Sequence, residues 1–198
     1  MNHVRRHLSL VGSGEKRQAD EAFEQRSDDD LMLLARGGMH SAFDALIRRH
    51  QRRVLRVAMR CLGDSALAAD VAQNTFVALL RVVPNYRPSG KFTGLLYRVL
   101  LNQCRMARRS QRSAQRVLNE AAAVGDLDPS EVLLREQRRD VERALRRLST
   151  KLREVVVLRF AADLDYPEIS ETLRIPVGTV KRRIFVAKAK LREILEDE

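Results

Sequence analysis

The segment DYPEISETLRIPVGTVKRRIFVAKAK, residues Asp165–Lys190, decides the fold of the C-terminal part of the chain. Asp165 and Glu168 are spaced as a capping box, and Pro167 falls in the first turn of the helix that they begin. Pro176 ends that helix, because the residue before a proline is disfavoured in the helical region. The segment therefore predicts two short helices joined by a tight turn, which is a helix-turn-helix.

The second helix of this pair is predicted to run from Val177 to near the C-terminus. Its apolar positions alternate spacings of three and four, the pattern of a helix with one buried face. The opposite face carries basic residues and a phenylalanine, and no acidic residue occurs between Glu171 and Glu193. Such a face suits the major groove of DNA, where cations reach phosphates and guanine edges. The candidate contact residues are Thr179, Lys181, Arg182, Phe185 and Lys188.

Composition points to a polyanionic partner. The 198 residues carry a net charge of +11 with a pI near 10.5, which favours nucleic acid first and an acidic membrane surface second. We expect no membrane-spanning segment and no signal peptide. Cys61 and Cys104 suit buried thiols in a reducing cytosol. Phosphate loops and the common catalytic motifs are absent from the sequence, so it predicts no cofactor, no metal and no catalytic site.

The N-terminal part begins with a polar stretch, residues 1–26, which we expect to be mostly disordered. Ser27 followed by Asp28–Asp30 predicts a helix start, with carboxylates at the positive end of the dipole. A metal-binding acidic cluster is the alternative, but side chains adjacent on one turn fan apart too widely to favour it. Two amphipathic helices follow, at about 41–62 and 65–82. The second exposes Asp70, Gln73 and Asn74.

A further basic helix is predicted at about 93–112. Polar residues recur along one side of it at helical spacing: Arg98, Asn102, Arg105, Arg109 and Arg112. We name this set the basic stripe; such a stripe can follow a phosphate backbone. Three rings, Tyr86, Phe92 and Tyr97, lie in or near the preceding loop and could stack on an exposed base. By itself, a basic stripe more often faces solvent.

Charge separates the chain into parts. Residues 27–112 have a net charge of +9, whereas residues 113–148 are neutral. The sequence AAAVGDLDP, residues 121–129, is typical of a flexible linker, which we place at 113–139. A helix at about 130–148 is predicted to bury Val141, and one at 151–162 to bury Phe160 behind the helix-turn-helix. The predicted fold is thus all-α: two small helical domains, 27–112 and 140–198, joined by a flexible linker.

Several of these segments resemble bacterial RNA polymerase sigma factors, specifically the extracytoplasmic-function (ECF) group of the sigma-70 family. IPVGTVKRR, followed by IFVAKAKLR, is similar to the family's C-terminal DNA-reading region, and LREVVVLRF and YPEI are similar to the helices before it. AADVAQNTF resembles the segment that grips the clamp of core polymerase. FTGLLYRVLLNQCRMARR resembles the minus-ten recognition helix.

The resemblance implies a promoter-specificity subunit without enzymatic activity, acting in the cytoplasm on the nucleoid. Its implied partners are core RNA polymerase, promoter DNA and an anti-sigma factor, and the free chain would be a monomer. The helix-turn-helix residues named above would read the minus-thirty-five element, and Asp70, Gln73 and Asn74 would bind polymerase. The minus-ten element would be bound and opened by Tyr86, Arg87, Phe92, Arg98, Asn102, Arg105 and Arg109.

The chain departs from the family's pattern at four positions. Asn74 stands where a glutamate is usual, and Leu95 where a tryptophan is common. Thr150 replaces a frequent proline, and Arg174 replaces a glycine in the turn of the helix-turn-helix. If that turn is left-handed, Arg174 bears a strain of roughly 1 kcal/mol.

Two other functions are compatible with parts of the sequence. A one-component regulator would bind an operator without polymerase, usually as a dimer, but it leaves the basic stripe unexplained. A metal-dependent nuclease or nucleotidyltransferase could use Asp28–Asp30, but the sequence offers it no further suitably placed carboxylates.

Overall fold

The computed structural model describes residues 23–115 and 141–196, with side chains placed for 23–111 and 141–196. Every regular element in these ranges is helical, which agrees with the all-α prediction. The helices of the N-terminal part are α1 (Asp28–Arg36), α2 (His40–Leu62), α3 (Ser65–Val82) and α4 (Phe92–Gln115), with a 3-10 turn at Val83–Asn85.

The C-terminal part begins with helical residues 141–147. The helices α5 (Thr150–Phe160), α6 (Tyr166–Leu173) and α7 (Val177–Glu196) follow. Helix α7 packs against both α5 and α6. The predicted helices at 41–62, 65–82 and 93–112 agree with α2, α3 and α4 to within three residues at each end.

The described residues form two compact units. The first contains the residues up to Arg49 together with Leu80–Phe92, and the second contains His50–Leu79 and the residues from Thr93 onward. The second unit therefore includes most of α4 together with the helix-turn-helix. The predicted leader and linker fall largely outside the described residues, at 1–22 and 116–140, and the domain boundaries placed there stay predictions.

Local chemistry sets the helix ends in the N-terminal part. Ser27 caps α1 in a reciprocal capping box with Asp30, which satisfies amide groups that the first turn leaves unpaired. Gly63 follows α2 with φ +71°, a conformation that glycine adopts without strain. Asp64 then caps α3, because its carboxylate accepts from the Leu67 amide at 3.0 Å. The start at Ser27 was predicted from the sequence.

Each unit has its own apolar core. In the first, α1 packs on the 3-10 turn and buries Leu31 and Met32. In the second, the largest fully buried apolar side chains come from α2, α3, α4, α5 and α6: Val54, Leu79, Leu96, Tyr97, Leu100, Leu101, Leu158 and Ile169. These positions follow the helical periodicity of the sequence.

Arg153 of α5 is a charged side chain in the core of the second unit, at 2% exposure. Its guanidinium donates to the carbonyl oxygens of Leu145 (2.5 Å), Arg146 (2.6 Å) and Leu148 (2.9 Å). It also donates to the Cys61 carbonyl near the end of α2, at 3.1 Å. These bonds compensate the loss of hydration that a buried cation incurs, so Arg153 joins α5 to the end of α2.

Five burial predictions are wrong, and two of them concern Tyr86 and Phe92, which were expected to stack on an exposed base but are buried. Phe160 is 60% exposed and Val141 is 40% exposed, although both were expected to face inward. Tyr97, expected beside an exposed base, is fully buried. The ring points into the second unit because its position is three residues before Leu100 on the buried face of α4.

One described segment, Ser65–Asn85, is long and apolar enough by composition to cross a membrane. Its buried residues include Val71, Phe76 and Leu79, which lie in the core. A core helix passes the same test, so the finding adds no argument for a membrane protein.

Candidate nucleic-acid interface

Helices α6 and α7 form the predicted helix-turn-helix. Asp165 accepts from the Glu168 amide and Glu168 accepts from the Asp165 amide, both at 2.7 Å, so the capping box is confirmed. Arg174 ends α6 in the left-handed conformation, with φ 53° and ψ 50°. The turn therefore has the geometry that a glycine would adopt without strain, and Arg174 adopts it at a small cost.

The outer face of α7 is exposed along its length. Its buried residues Val180, Ile184 and Ala187 face α5 and α6, while Lys181, Arg182 and Lys188 are exposed. Phe185 is 76% exposed, although removing an aromatic side chain from water is favourable. An exposed ring among cations is suited to a partner with both phosphates and apolar base edges. Thr179, in the first turn, is half-buried.

Lys188 has a second contact within the chain. Its ammonium group lies 5.6 Å from the centroid of the Phe160 ring, within the range of a cation–π interaction. The exposed Phe160 ring thus contacts and helps to position a basic residue of α7. The sequence prediction missed this contact, because α5 and α7 are paired only in the folded chain.

The basic stripe of α4 is divided into two groups by its surroundings. Asn102 and Arg109 are exposed. Arg98 instead donates to the carbonyl oxygens of Thr172 at 3.4 Å and Glu171 at 3.3 Å, at the end of α6. Carbonyl groups at a helix C-terminus attract cations. The structure does not describe the side chain of Arg112.

Arg105 of the stripe forms a two-pronged ion pair with Glu154 of α5. Its Nε and Nη2 donate to the two carboxylate oxygens at 2.7 and 2.9 Å. Glu154 is buried, and its hydrogen bonding raises the pKa of Arg105 above the ordinary value. Beside this pair, hydrogen bonding to Cys61 and burial raise the pKa of the Cys104 thiol. Arg98 and Arg105 are therefore occupied by protein groups in this conformation.

The loop from Tyr86 to Phe92 turns its two rings inward. Both are buried, and they meet edge to face, with centroids 6.5 Å apart and planes at 73°. Residues 87–91, including Arg87, are exposed. The middle of this loop is therefore accessible to a partner. The contact between the two rings joins the ends of the loop.

Helix α1 holds this loop through two side chains. Asp29 accepts from the Tyr86 hydroxyl and from the backbone amides of Ser89, at 3.2 Å, and Gly90. Arg36 donates to the Tyr86 carbonyl at 2.8 Å. Burial, followed by the hydrogen bond to Asp29, raises the pKa of Tyr86, so the phenol stays a donor. The sequence prediction placed Asp29 in the helix start, with a metal-binding cluster as the alternative, and did not predict its contact with this loop.

The face of α3 that resembles a polymerase-binding segment is exposed at Asp70, Gln73 and Asn74. Val77, one turn further on, is 44% exposed and shares this face. The sequence prediction missed Val77, although its spacing of four and three from Gln73 and Asn74 could have indicated it. Val77 adds apolar surface to this face, although a single exposed apolar residue is ordinary on protein surfaces.

The structure offers no support for a metal site in its described part, where no group of three histidine, cysteine or acidic residues could hold an ion. The carboxylates of the proposed acidic cluster have separate partners. Asp28 pairs with Arg49 at 2.6 Å, Asp29 holds the loop and Asp30 belongs to the capping box.

These features define the class of protein: an all-helical DNA-binding protein with a C-terminal helix-turn-helix and a second basic helix. Residues 46–114 match the family Sigma-70 region 2, and residues 138–191 match Sigma-70, region 4. The two matches account for more than half of the chain, and they lie in that order.

Relatives and a solved structure point the same way. The chain is 30% identical to the RNA polymerase sigma-H factor of Pseudomonas aeruginosa, over 87% of this chain and 95% of the relative. It is 36% identical to the ECF RNA polymerase sigma factor SigE of Mycolicibacterium smegmatis, over 78% of this chain and 62% of that protein. A solved structure of CnrH in complex with the cytosolic domain of CnrY superposes with a TM-score of 0.68 and 29% identity, covering 86% of this chain and 98% of the matched chain.

The chain belongs to the sigma-70 family and, within it, to the ECF sigma factors. It is a polymerase-binding, promoter-specificity subunit. Both the family and this function were predicted from the sequence, and the comparisons confirm them.

Proposed function

We propose that three surfaces of the chain divide the work of the sigma subunit. The exposed face of α7 reads the minus-thirty-five element, the basic stripe with the loop 86–92 binds and opens the minus-ten element, and the exposed face of α3 binds core polymerase. We place these functions in a region-two domain, 27–112, and a region-four domain, 140–198.

The exposed face of α7 supports the first assignment. Lys181 and Lys188 are suited to phosphates, which fix position without reading sequence. Arg182 and Phe185 are suited to base edges, because a guanidinium can bond guanine and a ring can contact the thymine methyl group. Thr179, at the start of the helix, is placed for a phosphate or base contact.

The side chains assigned to the minus-ten element differ in how accessible they are to DNA. Arg87, Asn102 and Arg109 are exposed and can contact DNA directly. Arg98 and Arg105 must first exchange their protein acceptors for phosphates. Tyr86 and Phe92 act from inside the loop, by holding its exposed residues in place. The Leu95 side chain, half-buried in α4, stands where the family usually has a tryptophan.

The third assignment rests on the exposure of Asp70, Gln73 and Asn74, to which we add Val77. With Asn74 in place of the usual glutamate, Asp70 supplies the carboxylate of this face. A single charge with an apolar neighbour suits a basic partner surface with an apolar patch.

We further propose that an anti-sigma protein binds the chain, as the complex of the similar CnrH with a second protein suggests. Without partners the chain is a monomer. It acts in the cytoplasm, on the nucleoid, and contributes no catalytic group, since phosphodiester bond formation belongs to the polymerase.

The observation that carries the proposal is the exposed, acid-free outer face of α7, which displays Phe185 among cations. The test mixes the purified protein with sigma-free bacterial core polymerase and genomic DNA, then maps the transcript starts. We expect discrete starts that share upstream elements. Asp70→Ala should abolish them by weakening the complex with core, whereas Asp44→Ala, a matched exposed carboxylate on α2, should leave them intact.

The one-component regulator predicts a different result. If the protein ignores core polymerase and binds duplex DNA alone as a dimer, that alternative replaces the assignment. The promoter motif from the mapped starts also tests the reading face of α7. Arg182→Ala and Phe185→Ala should change which promoters are used, and an unchanged promoter profile in both variants would remove their assignment as base-reading residues.

A further inference from the structure

The loop from Arg87 to Lys91, which we name the capture loop, makes specific contacts with the first helix. A five-residue exposed loop has many backbone conformations, and a strand-binding site requires few of them. Three donors, the Tyr86 hydroxyl and the amides of Ser89 and Gly90, converge on the single carboxylate of Asp29. The loop is therefore fixed by one acceptor at both its beginning and its end.

The neighbouring carboxylates show that this arrangement is particular to Asp29. Asp28 is directed to Arg49 and Asp30 to the amide and hydroxyl of Ser27. Successive residues of a helix point about 100° apart, so only one of the three can face the loop. Arg36, two turns along the same helix, holds the Tyr86 carbonyl from the other end.

The hydrogen bonds to Asp29 are charge-assisted. An ionised carboxylate accepts shorter and stronger hydrogen bonds than a neutral group. The raised pKa of Tyr86, which burial and the hydrogen bond to Asp29 cause, keeps its hydroxyl protonated and therefore a donor near neutral pH. Gly90 has φ +69°, and a Cβ added there would meet no atom within 4 Å. The loop's shape at Gly90 is thus set by backbone conformation and by Asp29, with no steric block holding it.

We propose that Asp29 is a positioning residue for minus-ten recognition: it fixes the capture loop so that its exposed residues meet the separated promoter strand in one geometry. This inference rests on the proposed function of the loop. Asp29 itself does not touch DNA in this scheme; it acts through Tyr86, Ser89 and Gly90. Its loss should lower the discrimination between promoter strands, because a loop with many conformations binds right and wrong strands more equally.

The experiment uses the holoenzyme formed from the full chain and core polymerase. The probe is a fluorescent single-stranded oligonucleotide with the minus-ten element of a promoter found by start mapping, and a scrambled oligonucleotide is the reference. The measured quantity is the ratio of the two affinities. We expect Asp29→Ala to lower this ratio roughly 10-fold, as loss of charge-assisted bonds predicts. Asp29→Asn should lower it less, since the amide oxygen still accepts.

Two further variants separate positioning from folding. Tyr86→Phe removes only the hydroxyl and keeps the buried ring, so the ratio should fall by a few-fold. Combining it with Asp29→Ala should cost no more than Asp29→Ala alone, because the two residues share one contact. Asp28→Ala, the matched control, should keep the wild-type ratio. Affinity for core and the melting temperature are measured for every variant.

Each outcome decides the inference. If Arg87→Ala lowers the ratio while Asp29→Ala and Tyr86→Phe retain it, the loop reads DNA and the role of Asp29 is refuted. An equal loss in Asp28→Ala and Asp29→Ala would assign the effect to the charge of the helix start, which also overturns it. If the wild-type holoenzyme shows no preference between the oligonucleotides, the proposed minus-ten function fails, and the inference fails with it. Should Asp29→Ala not fold, Asp29→Asn and Tyr86→Phe decide.

Discussion

The two basic helices of this protein, α4 and α7, look alike in sequence and differ in the fold. Both present cations at helical spacing without intervening acids. On α7 the outer face is exposed and includes Phe185. On α4, Arg98 and Arg105 are bonded to α6 and α5. A basic stripe therefore indicates where cations lie on a helix, whereas the fold determines which of them a nucleic acid can reach.

The two helices differ in exposure because α4 packs beside groups of α5 and α6 that accept hydrogen bonds from its arginines. Glu154 lies 49 residues after Arg105 in sequence, and the Glu171 carbonyl 73 residues after Arg98. A buried carboxylate needs a cation beside it, and Arg105 is the cation that Glu154 has. In this conformation the proposed minus-thirty-five face of α7 is exposed, and the basic stripe proposed to bind the minus-ten element is partly covered.

The largest effect on stability that we expect comes from Arg153, the arginine buried in the core of the second unit. Arg153→Ala should destabilise the protein by about 3 kcal/mol or more, because it leaves four carbonyl groups without their donor and creates a cavity. Urea denaturation measures the change. Arg159→Ala, on the same helix but 39% exposed, removes a weak pair with Asp163 at 3.9 Å and one hydrogen bond to the Leu164 carbonyl at 3.1 Å, so it should cost about 1 kcal/mol or less. Similar costs for the two variants would contradict the assignment of Arg153 as a structural cation.

The next effect tests whether the face of α7 binds phosphates. Lys181→Ala with Lys188→Ala should weaken promoter binding roughly 10-fold and lower the slope of log affinity against log salt by about 2, one for each lost phosphate contact. Binding of holoenzyme to duplex minus-thirty-five DNA over a salt series measures both. Lys190→Ala is the matched control, since Lys190 lies nine residues after Lys181 and so on the opposite side of the helix. An equal change of slope in the control would mean that the effect is one of net charge.

A smaller effect should measure how strongly Arg105, an arginine of the basic stripe, is held by Glu154. A double-mutant cycle with Arg105→Ala and Glu154→Ala should give a coupling free energy of about 1 kcal/mol, measured by denaturation. The same cycle on Arg159 and Asp163 should give a value near zero, because that pair is exposed. If both cycles gave zero, Arg105 would be as available as Asn102, and the contrast between α4 and α7 would be lost.

The smallest effect concerns the turn between α6 and α7. Arg174→Gly should stabilise the protein by roughly 0.5 to 1 kcal/mol, because glycine adopts φ 53° without strain. Lys181→Gly, at a helix interior, should instead destabilise it by about 1 kcal/mol. Thermal unfolding of both variants distinguishes these signs. A destabilised Arg174→Gly would show that the arginine side chain makes a contact worth more than the strain.

Much of the candidate site was predictable because it depends on local patterns. The cap at Asp165, the stop at Pro176 and the exposure of Phe185 all follow from residues within two helical turns. The failures have the opposite character. Phe160 follows the apolar period of α5 yet is exposed beneath Lys188, and Tyr97 is buried although it was assigned to base stacking. For Phe160 the deciding neighbour, Lys188, comes from another helix, whereas the burial of Tyr97 agrees with its position three residues before Leu100 on α4.

The sequence by itself determined the helices, their caps, the helix-turn-helix and the family, because capping and periodicity act over a few residues and the motifs are contiguous. Only the tertiary structure decided which cations are exposed, which rings close the capture loop and which carboxylate holds it. Asp29 and Tyr86 are 57 residues apart, and Cys61 and Arg153 are 92 apart. Contacts between residues so distant in sequence depend on how the helices pack, and a long polar side chain can reach solvent or a partner from the same position on its helix.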